Sequence, residues 1–320
     1  PFEKEAAQFA KAKIPFYVCP GTSTWQTLIG KHDNALANLR AAAKAGKKFG
    51  ALGFLNTDWG DGGHPQPLAV SWPLFAAGAA LAWNAKELDE QNLLAVLSRD
   101  VFGDPTGKIA EAALKLGFAH EKLDVKALNE TPLGTVIAAP KPEDQELFCR
   151  NGLKWFAKIP KQKILSALKE IERQRSKLNL GRRHTVPPKF KILALELDLA
   201  ARMATQSCQF MLWQQAVATG KKSEAKLLAQ RNIRELRELE KDFEAYWPTR
   251  NKATTKHCSP FLQWRIEDYS NSLKKGRRRG SVAQPYLLFT SHASRRPSPR
   301  KFNASKVEIK TPPGKTISHQ

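Results

Sequence analysis

Phe49 to Asn84 reads FGALGFLNTDWGDGGHPQPLAVSWPLFAAGAALAWN. An apolar run, Ala51 to Leu55, breaks into a polar, glycine-rich loop from Asn56 to His64. After Pro65 and Pro67 the chain enters an apolar segment, Ser71 to Trp83. A short apolar run bounded by turn residues, then a long apolar stretch after prolines, predicts a buried strand, a loop and a return helix: one β/α unit. In parallel α/β folds the chemistry gathers at the carboxyl ends of the strands. Asn56, Asp58, Trp59, Asp61 and His64 all fall there.

Upstream, IPFYVC from Ile14 to Cys19 predicts a strand. DNALANLRAAAKAG from Asp33 predicts a helix, with Asp33 or Asn34 as N-cap and Gly46 as its end. Strand, helix, strand and helix with short connections make a right-handed βαβ unit with parallel strands. Such strands are buried on both faces and need neighbours, yet no strand pattern follows Trp83. Leu88–Phe102, Thr106–Leu123, Glu143–Ile159, Lys161–Leu178, Lys189–Thr219 and Lys221–Trp247 all read as helices. The fold class is therefore α/β, then all-α. Residues 1–84 read as the last two β/α units of a (β/α)8 TIM-type barrel, and 85–270 as a helical domain.

Residues 271–320 read as a disordered basic tail. From Lys274 onward there are twelve Lys and Arg and one acid, Glu308, which is half of the chain's net charge of +22. The remainder is only moderately basic, so charge says little about the folded part. The tail either binds a polyanion weakly or is an idle extension without aromatic interleaving. Cys19, Cys149, Cys208 and Cys258 are too scattered for a zinc site and do not require an oxidising compartment. No apolar run is long enough to span a membrane. The start at Pro1 fits a mature secreted chain or one that has lost its front end, which leaves localisation and oligomeric state open.

The Leu55–Asn84 segment resembles the end of the catalytic barrel of glycoside hydrolase family 20, the β-N-acetylhexosaminidases. Trp59-Gly60-Asp61 stands where that family has W-x-E. Ser71-Trp72-Pro73 through Ala82-Trp83 is similar to the helix that follows, and FYVCPGTSTWQ resembles the seventh strand and its aromatic loop. The resemblance covers about the first 85 residues. It implies substrate-assisted retaining hydrolysis of a terminal N-acetylhexosamine, without cofactor or metal. A Glu is then the general acid, and the Asp before it orients the acetamido nucleophile. Here Asp89-Glu90 and Glu143-Asp144 both fall in helical stretches, so no catalytic residue is assigned. The expectation is a fragment or a non-catalytic relative that binds an N-acetylhexosamine-containing glycan; the alternative is a basic helical nucleic-acid-binding or interaction protein without catalysis.

The substrate-binding candidates are Trp59, Asp61, Asp58, Trp25 and His64. Trp59 either packs against the apolar face of a pyranose or is a core residue at the strand end. Asp61 either accepts sugar hydroxyls or forms the turn before Gly62-Gly63. Asp58 could serve either purpose or cap the loop. His64 either touches substrate, orients Asp61, or is a structural or solvated loop histidine, and Trp25 is a candidate second wall. Asp58-x-x-Asp61-x-x-His64 also offers metal-type donors, at an unspecific spacing. Trp72, Trp83, Trp155, Trp213, Trp247 and Trp264 read as core. Ser23 and Thr24 lack partners for a hydrolytic triad.

Overall fold

The computed structural model describes residues 2–60, 64–84, 88–127, 130–138, 158–178 and 188–278. The order is α1 (Phe2–Lys11), β1 (Tyr17–Val18), α2 (His32–Phe49), β2 (Gly53–Phe54), a 3-10 turn at Leu68–Val70 and α3 (Trp72–Trp83). Then come α4 (Glu90–Val96), continued by a π-turn at Leu97–Val101, α5 (Lys108–Leu116), a 3-10 turn at Ala119–Leu123, and α6 (Pro132–Ala138). The remaining helices are α7 (Lys161–Leu178), α8 (Pro188–Ala218), α9 (Lys222–Tyr246) with a 3-10 turn at Trp247–Thr249, α10 (Thr255–Cys258) and α11 (Phe261–Arg278).

The two strands pair in parallel, Tyr17 with Gly53 and Val18 with Phe54, across the α2 connection. That pairing is as the sequence predicts. The barrel is not. Among the described residues the sheet has two strands of two residues each, and everything after β2 is helical. The expected α/β class with a barrel portion is therefore replaced by a mainly helical body. The physical reason lies in what covers the strands. α2 packs on one side of the pair, while Tyr17, Leu52 and Leu55 stand more than half exposed. Among the described residues downstream of β2 every regular element is helical, so helices instead of further strands close the core.

α2 ends later than Gly46. It runs to Phe49, and Gly50 takes the left-handed conformation (φ 72°) that stops it, with the Ala51 N–H returning to the Gly46 carbonyl. Its start is also shifted: Lys31 precedes the first helical residue, His32, and no side chain caps it. Gly46 serves packing, since a β-carbon there would meet Val18 at 3.1 Å.

α3 is apolar on all sides. It buries Leu74, Ala77, Gly78 and Leu81 against α2 and the helices behind it. Trp72 and Trp83 do share a face, being three turns apart, but it is the outward one. Trp83 is 91% exposed and Trp72 37%, which corrects their reading as core. Trp213 and Trp247 are buried and Trp264 is packed against the core, while Trp155 lies outside the described residues.

α8 is the central element. Its apolar residues, among them Leu197, Ala200, Met203, Ala204 and Met211, are buried on several faces, as expected of a helix enclosed by others. α6, α7 and α9 pack around it, and α8 also touches the 3-10 turn at 68–70. Residues up to Arg278 thus form one unit with a continuous core that includes both the β/α segment and the helices. α11 carries on to Arg278, past the expected start of the tail at 271. The rest of the tail and most of the helix expected at Glu143–Ile159 lie outside the described residues. Among the described residues no helix is long and apolar enough to cross a membrane. Cys208 is fully buried, which pushes its thiol far up, whereas Cys19 is exposed.

Candidate functional site

The loops that follow β1 and β2 extend the parallel pairing. The Thr57 N–H donates to the Pro20 carbonyl at 2.8 Å and the Thr22 N–H to the Thr57 carbonyl at 3.0 Å. Gly21 and Thr57 form an isolated parallel bridge. This brings the Pro20–Trp25 and Asn56–Trp59 segments side by side, with Asp58 turned inward. Its carboxylate accepts hydrogen bonds from the hydroxyls of Thr22, Thr24 (2.6 Å) and Ser71 (2.9 Å). His64 Nε2 stands 3.9 Å away. Asp58 thereby ties together the β1 loop, the β2 loop and the start of α3.

Burial pushes the Asp58 carboxyl upward, but the nearby His64 and the hydrogen bonds from Thr22, Thr24 and Ser71 outweigh it and hold the group below its ordinary range. His64 is raised above 6.5, chiefly by the nearby Asp58 carboxylate, against the opposing effect of its own burial. The ring sits on a residue in the left-handed region (φ 54°), folded back over Gly60, where a β-carbon would fall 2.7 Å from it. His32 shows the opposite behaviour. It is enclosed between Gly30, Gly117 and Phe118, and burial lowers it to about 4. An NMR titration is therefore expected to show His64 taking up its proton above pH 6.5 and His32 remaining neutral until near pH 4. Protonation of both near 6.5 would contradict the packing described.

Trp59 is 58% exposed, which sets aside its reading as a core residue. Its indole N–H donates to Thr57 Oγ1 at 3.2 Å, which orients the ring at the rim. Trp25 is half-buried and lies on Gly21, where any β-carbon would come within 2.6 Å of the ring. The two tryptophans thus flank the Gly21–Thr57 bridge. Asp61 lies outside the described residues. Asp58 is mostly buried and engaged by hydroxyls, so it organises the loops instead of facing a ligand. The described residues contain no cluster of three metal-type side chains. Asp89, of the Asp89-Glu90 pair, caps α4 by accepting from the Gln91 and Asn92 N–H groups.

Several residues absent from the sequence reading complete the site. Gln66 is buried and donates from Nε2 to the Trp59 carbonyl at 3.3 Å. Glu196 of α8, fully buried, accepts from the Ala69 N–H (3.0 Å), the Tyr246 hydroxyl (2.9 Å) and Arg250 Nε (2.7 Å). That set fixes the 64–70 segment against the end of α9. Between them runs a cleft of about 130 Å³, lined by His64, Gln66 and Leu68 on one side and Phe243, Trp247 and Arg250 on the other. Thr22-x-Thr24 was the one local hint to the hydroxyl set. Glu196 had none, since an acid in a long helix, here with Asp198 two residues on, looks like any solvated charge. Comparison with family models and with curated proteins finds no match for this chain.

Proposed function

We propose that this chain is a carbohydrate-recognising protein that binds an N-acetylhexosamine-containing glycan without hydrolysing it. The observation that carries the reading is Trp59: a large aromatic ring, more than half exposed, at the strand ends and oriented by Thr57. An exposed, pre-oriented indole presents an apolar face to a pyranose at little entropic cost. The buried Asp58, with its three hydroxyl partners and His64, holds the loop beneath it, and Trp25 supplies a second aromatic surface beside the Gly21–Thr57 bridge. The resemblance of the Trp59-Gly60-Asp61 loop to the hexosaminidase pattern supports the choice of sugar. The role of Asp89 as a helix cap supports recognition without catalysis, because that carboxylate already serves two backbone N–H groups.

Titration of N-acetylglucosamine, followed by tryptophan fluorescence or NMR, tests the reading. Wild type is expected to bind weakly. Trp59→Ala is expected to lose about 1 kcal/mol, roughly fivefold in affinity. Equal binding by both proteins, or no binding by wild type, would overturn it.

A further inference from the structure

Two residues that line the cleft beside α9 carry a buried polar atom without a hydrogen-bond partner among the described residues: Gln66 at Oε1 and Trp247 at Nε1. Both residues line the cleft, and both are at least 96% buried (Gln66 2% and Trp247 4% exposed). One atom is an acceptor and the other a donor. Buried groups of this kind are nearly always paired in a native protein, and leaving them unpaired is costly. Their complementary needs are met by a ligand that both accepts and donates.

The charges of the cleft indicate which ligand. Its two cations already have carboxylate partners: His64 faces Asp58 at 3.9 Å, and Arg250 binds Glu196 at 2.7 Å. The cleft also abuts the C-terminal end of the 25-residue α9, where the helix dipole disfavours an anion. Leu68, Pro67 and Phe243 add apolar lining. An uncharged group that donates, accepts and carries a hydrocarbon edge is a sugar hydroxyl on its ring. The volume, about 130 Å³, is near that of a cavity that accepts a benzene ring, so it suits part of one sugar.

We propose that this cleft binds the hydroxyl-bearing edge of an uncharged sugar that adjoins the one stacked on Trp59, so that the ligand is a disaccharide or longer. In the complex a ligand hydroxyl accepts from Trp247 Nε1 and a hydroxyl donates to Gln66 Oε1. Neither atom is accessible in the free protein, so a side-chain rotation accompanies binding. Gln66 joins the two places physically, through its bond to the Trp59 carbonyl. The proposal rests on the carbohydrate reading of Trp59, but it has its own readout.

That readout is the indole N–H resonance of Trp247 in the ¹⁵N-labelled full chain, alongside that of Trp59. N,N′-diacetylchitobiose is expected to shift both, and N-acetylglucosamine mainly Trp59. Trp247→Phe is expected to weaken the disaccharide about tenfold and leave the monosaccharide unchanged. The wild-type resonances decide the matter even if a variant fails to fold. A disaccharide shift confined to Trp59 would overturn the cleft assignment and leave the Trp59 reading intact. A Trp247 N–H in contact with water and unmoved by any saccharide would mean that the two atoms are simply hydrated. Glucuronate shifting Trp247 as strongly as the neutral disaccharide would overturn the uncharged ligand class. Silence at both tryptophans would overturn both readings.

Discussion

Glu196→Ala is expected to destabilise the protein by about 4 kcal/mol, the largest effect of any single substitution considered for this site. The carboxylate is wholly buried and accepts from three donors on three segments: the Ala69 N–H, the Tyr246 hydroxyl and Arg250 Nε. Removing it leaves a backbone N–H and a phenol unpaired in the interior and strips the cation of its partner. Each orphaned donor then bears its own desolvation penalty. In a body of this size, a loss of about 4 kcal/mol lowers the melting temperature by roughly 8–16 °C. Glu196→Gln retains an acceptor and the volume, and is expected to lose less than half as much. Tyr246 supplies an internal check. Burial, followed by the nearby Glu196 charge, raises its phenol well above the ordinary range, so an accessible titration near 10 would show that the cluster is open. A Glu196→Ala variant within 1 kcal/mol of wild type would show that these contacts are incidental.

Asp58→Ala is expected to lose about 3 kcal/mol, with a pH dependence that identifies its partner. Three hydroxyls, from Thr22, Thr24 and Ser71, lose a charged acceptor together. Without Asp58 the hydroxyls can rotate toward one another, since the Thr22 and Thr24 oxygens lie only 3.1 Å apart, so the loss falls short of three independent bonds. Asp58 is depressed below its ordinary 3.8, so its contribution is present above 3.8 and fades as pH falls through the folded value. His64 is raised above 6.5, so its contribution is complete below 6.5 and fades as pH rises through the folded value. The pair is therefore fully effective between pH 3.8 and 6.5. Urea denaturation of wild type and Asp58→Ala should show a larger difference at pH 5.5 than at pH 9. A difference that does not change with pH would remove His64 from the network and leave only the hydroxyls.

The parts of the fold that were legible are those in which local pattern and tertiary role coincide. α7, α8 and α9 follow from apolar spacing, and the parallel pair follows from two apolar runs separated by a helix. The barrel was an extrapolation from that pair. It failed because parallel strands require neighbours that only tertiary structure can supply, and here helices fill that place. Trp72 and Trp83 mark a second limit. Periodicity correctly put them on one face of α3 but did not say which face is turned to solvent. Asp58 and His64 were found because they sit in one loop, while the hydroxyls that define the role of Asp58 come from two other segments. Glu196 and Arg250 left no trace, and Trp247 was legible only as core, because their chemistry arises only when α8 and α9 pack against the 64–70 segment.

That last packing has a consequence for the order of assembly. The bond from the Ala69 N–H to Glu196 spans 127 residues of chain, and those from Tyr246 and Arg250 then join the same carboxylate from farther along. Closing so long a loop carries an entropic penalty that is repaid only after the intervening helices have docked. The segment from His64 to Ser71 is therefore among the last parts of the molecule to find its place during folding. By the same token, it is released early when α9 detaches.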